Sequence, residues 1–372
     1  MQLLSDPQLV GSGAPQQGAF RELNPADFLS RDEVTLDTDQ ISGYLTGKTV
    51  LVTGGGGSIG SELCRQVMRF KPGKLLIFDI YENCAYELLM ELQQKYGRDI
   101  PVTVLVGSIR DKKRLDEVFE TYHPTVVFHA AAHKHVPLME VSPAEAVKNN
   151  VLGTKNLLVS ASEHDVERFV QLSTDKAVNP TSVMGCTKRI CEMLIQTFAG
   201  NTDMKCVAVR FGNVLGSHGS VIPLFEAQIK KGGPVTLTDP NIERYFMTIP
   251  EAAQLVLQAG ALAESGNIYV LDMGEPVKIM DLAKQLIRFY GYEPGVNMEI
   301  KIVGLRPGEK LYEELMMDEE QDKMRRTQHN KIFVASPRSI DLAEFYEQLQ
   351  ELAKAAQHND EGAVSYTHLR AH

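Results

Sequence analysis

From Lys48 onward the chain repeats one pattern: a short apolar run rich in Val, Ile, Leu and Phe, then a longer stretch in which apolar residues recur three and four apart. The runs predict strands over 49–53, 74–79, 102–106, 125–130, 168–172 and 204–210, with amphipathic helices between them. Near-continuous apolar strands are buried on both faces, and strands that alternate with helices run parallel. The expected fold is therefore α/β, a doubly wound parallel sheet. Residues 1–47 lack this pattern and read as an extension or linker, with Gly11–Gln17 small and polar and short helices predicted over 24–29 and 37–45.

The first apolar run empties into Gly54-Gly55-Gly56-Gly57-Ser58-Ile59-Gly60. Gly54, Gly57 and Gly60 stand three apart, so backbone N–H groups can approach a pyrophosphate, and a helix beginning near Ser58 aims its N-terminus at that charge. A glycine triplet alone is weak evidence. The context strengthens it: the second run ends in Asp79, where this architecture needs a carboxylate for ribose hydroxyls. Asp79 would repel a 2′-phosphate, so the expected cofactor is NAD, with NADP the alternative if Arg110 or a lysine tolerates the phosphate. Ser108 and Ile109 follow the third run, at the edge where the adenine end would lie. Ala130, Ala131 and Ala132 follow the fourth, small enough for close cofactor approach and equally suited to tight sheet–helix packing.

Composition narrows the classes. With 372 residues and 43% hydrophobic content, the chain can bury a full core in one large or two unequal domains. No apolar run approaches the roughly 18 residues of a membrane helix, and the start lacks the basic-then-apolar order of a secretory leader. The five cysteines are odd in number and lack metal-ligand spacing, which fits a reducing cytoplasm. The net charge of −10, half of it within residues 1–47, argues against a nucleic-acid surface. Any anionic ligand must then be held by local groups.

Two titratable clusters follow predicted strands. His133-Lys134-His135 is a poor metal site without a third ligand, and Lys134 is the better candidate, a cation beside the expected diphosphate. After the fifth strand come Ser173, Thr174, Asp175 and Lys176; Met184 and Lys188 then share one helix face at i and i+4. Serine, a helical tyrosine and a lysine four residues later suit hydride transfer from a carbinol. Here the tyrosine position holds Met184, whose thioether takes no proton.

Taken with Thr53–Glu62, His129–Glu140, Arg210–Gly216, Arg244–Thr248 and Arg306–Lys310, these residues resemble the extended short-chain dehydrogenase/reductase superfamily. Within it the chain is similar to the CapD-like nucleotide-sugar 4,6-dehydratases of polysaccharide biosynthesis, over about residues 20–335. Met184 and the Asp175-Lys176 pair resemble the branch of UDP-N-acetylglucosamine 4,6-dehydratases that lacks the tyrosine. Ser108 departs from the aspartate common in the superfamily. Long members carry membrane helices ahead of the catalytic portion, so this chain resembles the soluble version or a fragment starting inside the linker.

The resemblance implies a Rossmann-type domain over 48–212 and 249–274, a smaller C-terminal substrate-binding lobe over 213–248 and 275–335, and a C-terminal helix over 336–363. Residues 364–372 match nothing in the family and read as a foreign tail. It also implies NAD-dependent oxidation at C4 of a UDP-sugar, loss of the C5 proton and of the C6 hydroxyl as water, and return of the hydride to C6. Lys176 is assigned to C5 and Asp175 to the C6 leaving group and, through a water ordered with Thr174, to the C4 hydroxyl. Ser173 and Lys188 would hold the nicotinamide half, and Lys134, Asn213, Arg244, Arg306 and Glu309 the substrate. A homo-oligomer is expected. Two rival readings are a UDP-sugar 4-epimerase, for which Asp175-Lys176 would be superfluous, and a non-catalytic NAD-binding sensor.

Overall fold

Why the apolar runs become strands is visible in their burial. In the computed structural model, which describes residues 3–4, 20–21, 34–217, 219–335 and 340–370, strand β1 (Thr49–Thr53) has Val50, Leu51 and Val52 wholly buried. Val50 and Val52 point into one apolar layer and Leu51 into the other, as the two-residue period of a strand requires. The same alternation holds in β2 (Lys74–Asp79), where Leu75 and Ile77 oppose Leu76 and Phe78.

Among the described residues nine strands form the central sheet. It adds β3 (Val102–Val106), β4 (Val126–His129), β5 (Arg168–Leu172), β6 (Lys205–Arg210), β7 (Ile268–Leu271), β8 (Arg325–Arg326) and β9 (Ile332–Ala335), in the order β8-β9-β7-β6-β5-β4-β1-β2-β3. All neighbours from β7 to β3 are parallel; β9 and β8 are antiparallel additions at the edge. Order reverses between β1 and β4, the switch point at which such sheets bind ligands. The fold is a Rossmann-type doubly wound sheet.

One face carries α1 (Thr38–Leu45), α2 (Ser58–Arg69), α3 (Glu82–Tyr96) and α10 (Ile249–Ala261). The other carries α4 (Lys112–Tyr122), α7 (Gly153–Glu163), α8 (Val183–Ala199) and α12 (Leu342–Gln357). Between β4 and α7 lie two short helices, α5 (Val136–Val141) and α6 (Pro143–Ala146), and a wider helical stretch over Val147–Leu152. A separate core, with Ile222, Phe225, Leu237, Leu282 and Leu286, unites α9 (Val221–Lys230), α11 (Ile279–Phe289) and the parallel pair Val235–Leu237 with Ile300–Ile302.

Three boundaries differ from the sequence reading. The helix expected over 37–45 forms, but it is no linker: Ile41, Tyr44 and Leu45 are buried in the main core and the Tyr44 hydroxyl donates to Leu257 O at 2.8 Å. Residues 325–335 join the main sheet and not the smaller lobe, because Ile332, Val334 and Ala335 bury themselves along β7. The C-terminal helix breaks at Asn359, with φ of 55°, and restarts as α13 (Glu361–Arg370), whose Val364 is buried in the α12 layer. The helix expected over 24–29 and the 11–17 stretch lie outside the described residues. Among the described residues no helix is long and apolar enough to cross a membrane.

Candidate active site

At the carboxyl edge of β1, β4, β5 and β6 lies a cleft of about 650 Å³. Its first wall is backbone. Gly54 follows β1 at φ +66°, a conformation that favours glycine, and a Cβ there would stand 2.6 Å from Ala131 N. A Cβ on Gly60 would overlap the Gly54 carbonyl, so the loop and α2 pack as only glycines allow. Gly57 caps α2 without a side chain, and Gly57, Ser58, Ile59 and Gly60 line the cleft with the helix N-terminus. Asp79 is tied across this loop, Oδ2 accepting from Gly56 N at 2.8 Å and Oδ1 from Tyr81 N at 2.9 Å.

The structure separates the other expected cofactor residues. Ala130 and Ala132 line the cleft, whereas Ala131 backs onto Gly54. Ser108 accepts from Arg110 N, and the Ile109 side chain turns into the core against Gly153. Neither side chain forms the wall, because the chain after β3 turns down into α4, where Asp111 caps the helix.

Behind the alanines, His129 is wholly buried between the hydroxyls of Thr53 at 2.7 Å and Thr154 at 2.9 Å. Burial, with Lys188 adding, pushes its imidazole down to about 3, so it is a neutral packing group. His133, Lys134 and His135 line the cleft. Asn150 holds their loop, accepting from His133 N and donating to His133 O. Burial lowers the Lys134 ammonium and both imidazoles.

The far wall is made of side chains. Ser173 follows β5 and donates its hydroxyl to Glu192 Oε1 at 2.7 Å. Glu192 in turn pairs with Arg210 at 2.8 Å and Arg189 at 3.0 Å, and Arg210 reaches Glu320 at 2.7 Å, all buried. Burial opposes the Glu192 charge, but Arg210 and Arg189 hold the carboxyl down to about 2. Because that carboxylate takes the serine proton, Ser173 offers the cleft only lone pairs.

Thr174 and the turn Asp175–Ala177 follow. Asp175 is fully buried; its Oδ1 accepts from Thr174 Oγ1 at 2.8 Å and Lys176 Nζ at 3.0 Å, and Oδ2 has no hydrogen-bond partner. Thr174 and Lys176 line the cleft, so Asp175 reaches it through them and not directly as the sequence reading had it. Lys176 Nζ also donates to Asn213 Oδ1 at 3.2 Å and lies 3.7 Å from Glu313 Oε1. Burial works against its charge, but Asp175 and Glu313 outweigh burial and raise the ammonium above its ordinary value. Ser182 caps α8, which brings Met184 and Lys188 to the same wall. Met184 packs on Met139, Ala146 and Val183, and Lys188 Nζ donates to Leu172 O at 2.7 Å, its ammonium lowered by burial.

Arg244, Arg306 and Glu309 close the rim. Arg244 lines the cleft and also donates to the carbonyls of Glu243, Lys310 and Leu311, which fastens the 309–313 segment beside Lys176. Arg306 is exposed, and Glu309 accepts from Arg306 N and from Thr238 Oγ1. Glu313, 9% exposed, is the residue that sequence reasoning missed. Its only signal was a carboxylate set between Leu311 and Leu315, just beyond the Arg306–Lys310 motif.

The profile of the polysaccharide biosynthesis protein family matches residues 50–337. Capsular polysaccharide biosynthesis protein CapD of Staphylococcus aureus is 56% identical over 308 residues, 82% of this chain and 51% of that protein. The chain thus spans about half the length of that relative. UDP-N-acetylglucosamine 4,6-dehydratase (inverting) of Campylobacter jejuni is 33% identical, covering 72% and 76%, and UDP-glucose 4-epimerase of Rickettsia canadensis 36%, covering 74% and 80%. The structure of Pen from Bacillus thuringiensis superposes with a TM-score of 0.73 at 35% identity, over 79% of this chain and 90% of that one.

Proposed function

As this chain belongs to the polysaccharide biosynthesis protein family, we propose that it is a nucleotide-sugar 4,6-dehydratase that converts UDP-N-acetylglucosamine to a UDP-4-keto-6-deoxy sugar. The observation that carries this reading is the cluster of Thr174, Lys176 and Asn213 on the cleft wall, with Asp175 buried behind them and Met184 in place of an ionisable phenol. Proton transfer from carbon and oxygen needs an acid–base pair, and this one stands beside an apolar neighbour that contributes none.

The residues fit a nicotinamide dinucleotide. The loop where a Cβ on Gly54 or Gly60 would collide, together with the bare N-terminus of α2, makes a cradle for its diphosphate. Asp79, at the end of β2 with its carboxylate tied to Gly56 N and Tyr81 N, is the residue of this architecture that would meet the ribose hydroxyls, which favours NAD; Lys188 and Ser173 would hold the nicotinamide half. When bound, the dinucleotide supplies reversible oxidation at C4 of the sugar, which makes the C5 proton acidic. Lys134 and Arg306 serve the sugar nucleotide's diphosphate as cations at the rim.

The chain's own groups then move protons. Thr174 Oγ takes the C4 hydroxyl proton as it hands its own to Asp175 Oδ1. Lys176, as the amine, takes the C5 proton. Asp175 returns its proton through Thr174 to the departing C6 oxygen, which leaves as water. Each transfer is worth about 10²–10⁴-fold.

Incubation with a panel of UDP-sugars and one mass spectrum tests the reading. A product lighter by one water is expected. An isomer of equal mass makes the protein a 4-epimerase instead, and bound dinucleotide with no turnover makes it a sensor.

A further inference from the structure

Lys176 is set to act as an amine in the reaction above, yet its surroundings keep it an ammonium. Asp175 and Glu313 flank Nζ at 3.0 and 3.7 Å, and both carboxylates are almost wholly buried, with side chains 0% and 4% exposed. A base must first lose its proton, and the structure offers one acceptor that the chemistry has not used. Glu313 Oε2 is buried with no hydrogen-bond partner. Arg244 Nε stands 3.8 Å from Oε1, too long for a hydrogen bond. Beside the pair a side cavity of about 130 Å³ is walled by Lys176, Glu313, Thr181 and Ser182. One water needs only roughly 10–15 Å³ of such space and two or more polar partners, and both are present.

We propose that Glu313 is a positioning residue that stores the proton Lys176 sheds before it acts as a base. This rests on the dehydratase reading. An N–H bond of the Lys176 ammonium breaks, its electron pair staying on Nζ. A water in the side cavity takes that proton and passes one to Glu313, where an O–H bond forms. The resulting amine takes the C5 proton, gives a proton back to C5 after elimination, and recovers its own from Glu313.

Substrate filling the cleft drives the transfer, because displacing water from it penalises the ammonium–carboxylate pair relative to amine and acid. Glu313 is already prepared for this: burial raises its carboxyl above the ordinary value, with Asp175 in the same direction, against Lys176, Arg244 and Lys310. Arg306 and Glu309 line the same side cavity. Asp175, whose Oδ2 is likewise unpartnered, is taken instead by the C4 proton that Thr174 hands to its Oδ1.

Glu313→Gln keeps the shape and removes the acceptor. In ligand-free protein carrying isotope-labelled lysine, the resonance lost in Lys176→Arg reports Nζ. In Glu313→Gln its titration midpoint should fall by about one to three pH units. With UDP-N-acetylglucosamine, kcat should fall by about 10²-fold while KM stays within about twofold, and Glu313→Asp should recover part of kcat. Glu313→Ala serves the titration in the same way if Glu313→Gln does not fold. An unmoved midpoint, or wild-type kcat in Glu313→Gln, overturns the proposal. A wild-type protein inert towards every UDP-sugar overturns the dehydratase reading, and the titration still decides whether Glu313 governs the proton on Lys176.

Discussion

At the glycine-loop end of the cleft the wall is backbone, drawn from one short stretch, Gly54 to Gly60, backed by Ala130 to Ala132. At the opposite end the wall is side chains from separated segments: Thr174 to Lys176, Met184 and Lys188, Asn213, Arg244, and Arg306 to Glu313. Backbone walls are specified by what is missing, a Cβ, and tolerate no added atom. Side-chain walls are specified by proton chemistry and tolerate a change of shape better than a change of ionisation. Substitutions should therefore fail for opposite reasons at the two ends.

The largest effect belongs to Asp175→Asn. The amide keeps the volume but neither takes nor returns a proton, so kcat should drop by about 10²–10⁴-fold while nucleotide-sugar affinity survives. Near-normal turnover would move the acid–base work away from the Asp175-Lys176 pair.

Gly60→Ala tests the other end by one methyl. Its Cβ would meet the Gly54 carbonyl, and the cost should lie at the upper end of the roughly 1–3 kcal/mol of overpacking, read by denaturant unfolding. A stable variant that binds dinucleotide normally would show that the loop has slack.

His129 separates packing from chemistry at the backbone end. Its folded value of about 3 lies below the ordinary 6.5, so its contribution is complete above pH 6.5 and is lost as pH falls towards 3. At about 1.4 kcal/mol per pH unit, stability should drop by about 2 kcal/mol between pH 6.5 and 5, with the lowered His133 and His135 adding in the same direction. His129→Gln should flatten that slope; an unchanged slope assigns it elsewhere.

Met184→Leu, at the side-chain end, conserves volume and removes no proton. It should cost less than about 1.5 kcal/mol and leave turnover within the same order of magnitude. Loss of activity there would give the thioether a role that shape does not explain. The smallest effect, and the one gain, is Gly43→Ala in α1. Nothing lies within 4 Å of the added Cβ, so stability should rise by about 0.5–1 kcal/mol, which marks this glycine as unlike those of the loop.

The sequence alone determined the parts whose signals are local. Strand and helix alternation, the glycine spacing, Asp79 after the second strand, and Met184 and Lys188 on one helix face depend on residues near one another in the chain, so periodicity and spacing expose them. Tertiary structure decided the rest, because charge pairing and burial depend on partners far apart in sequence. It gave Arg244, on the cleft wall, a second part as a fastener for the 309–313 segment, and it set Asp175 behind Thr174. It also buried Glu313 beside Lys176, 137 positions away by residue number, where desolvation and a shared ammonium give an otherwise ordinary glutamate its proton chemistry. Residue type and spacing carry no record of that meeting.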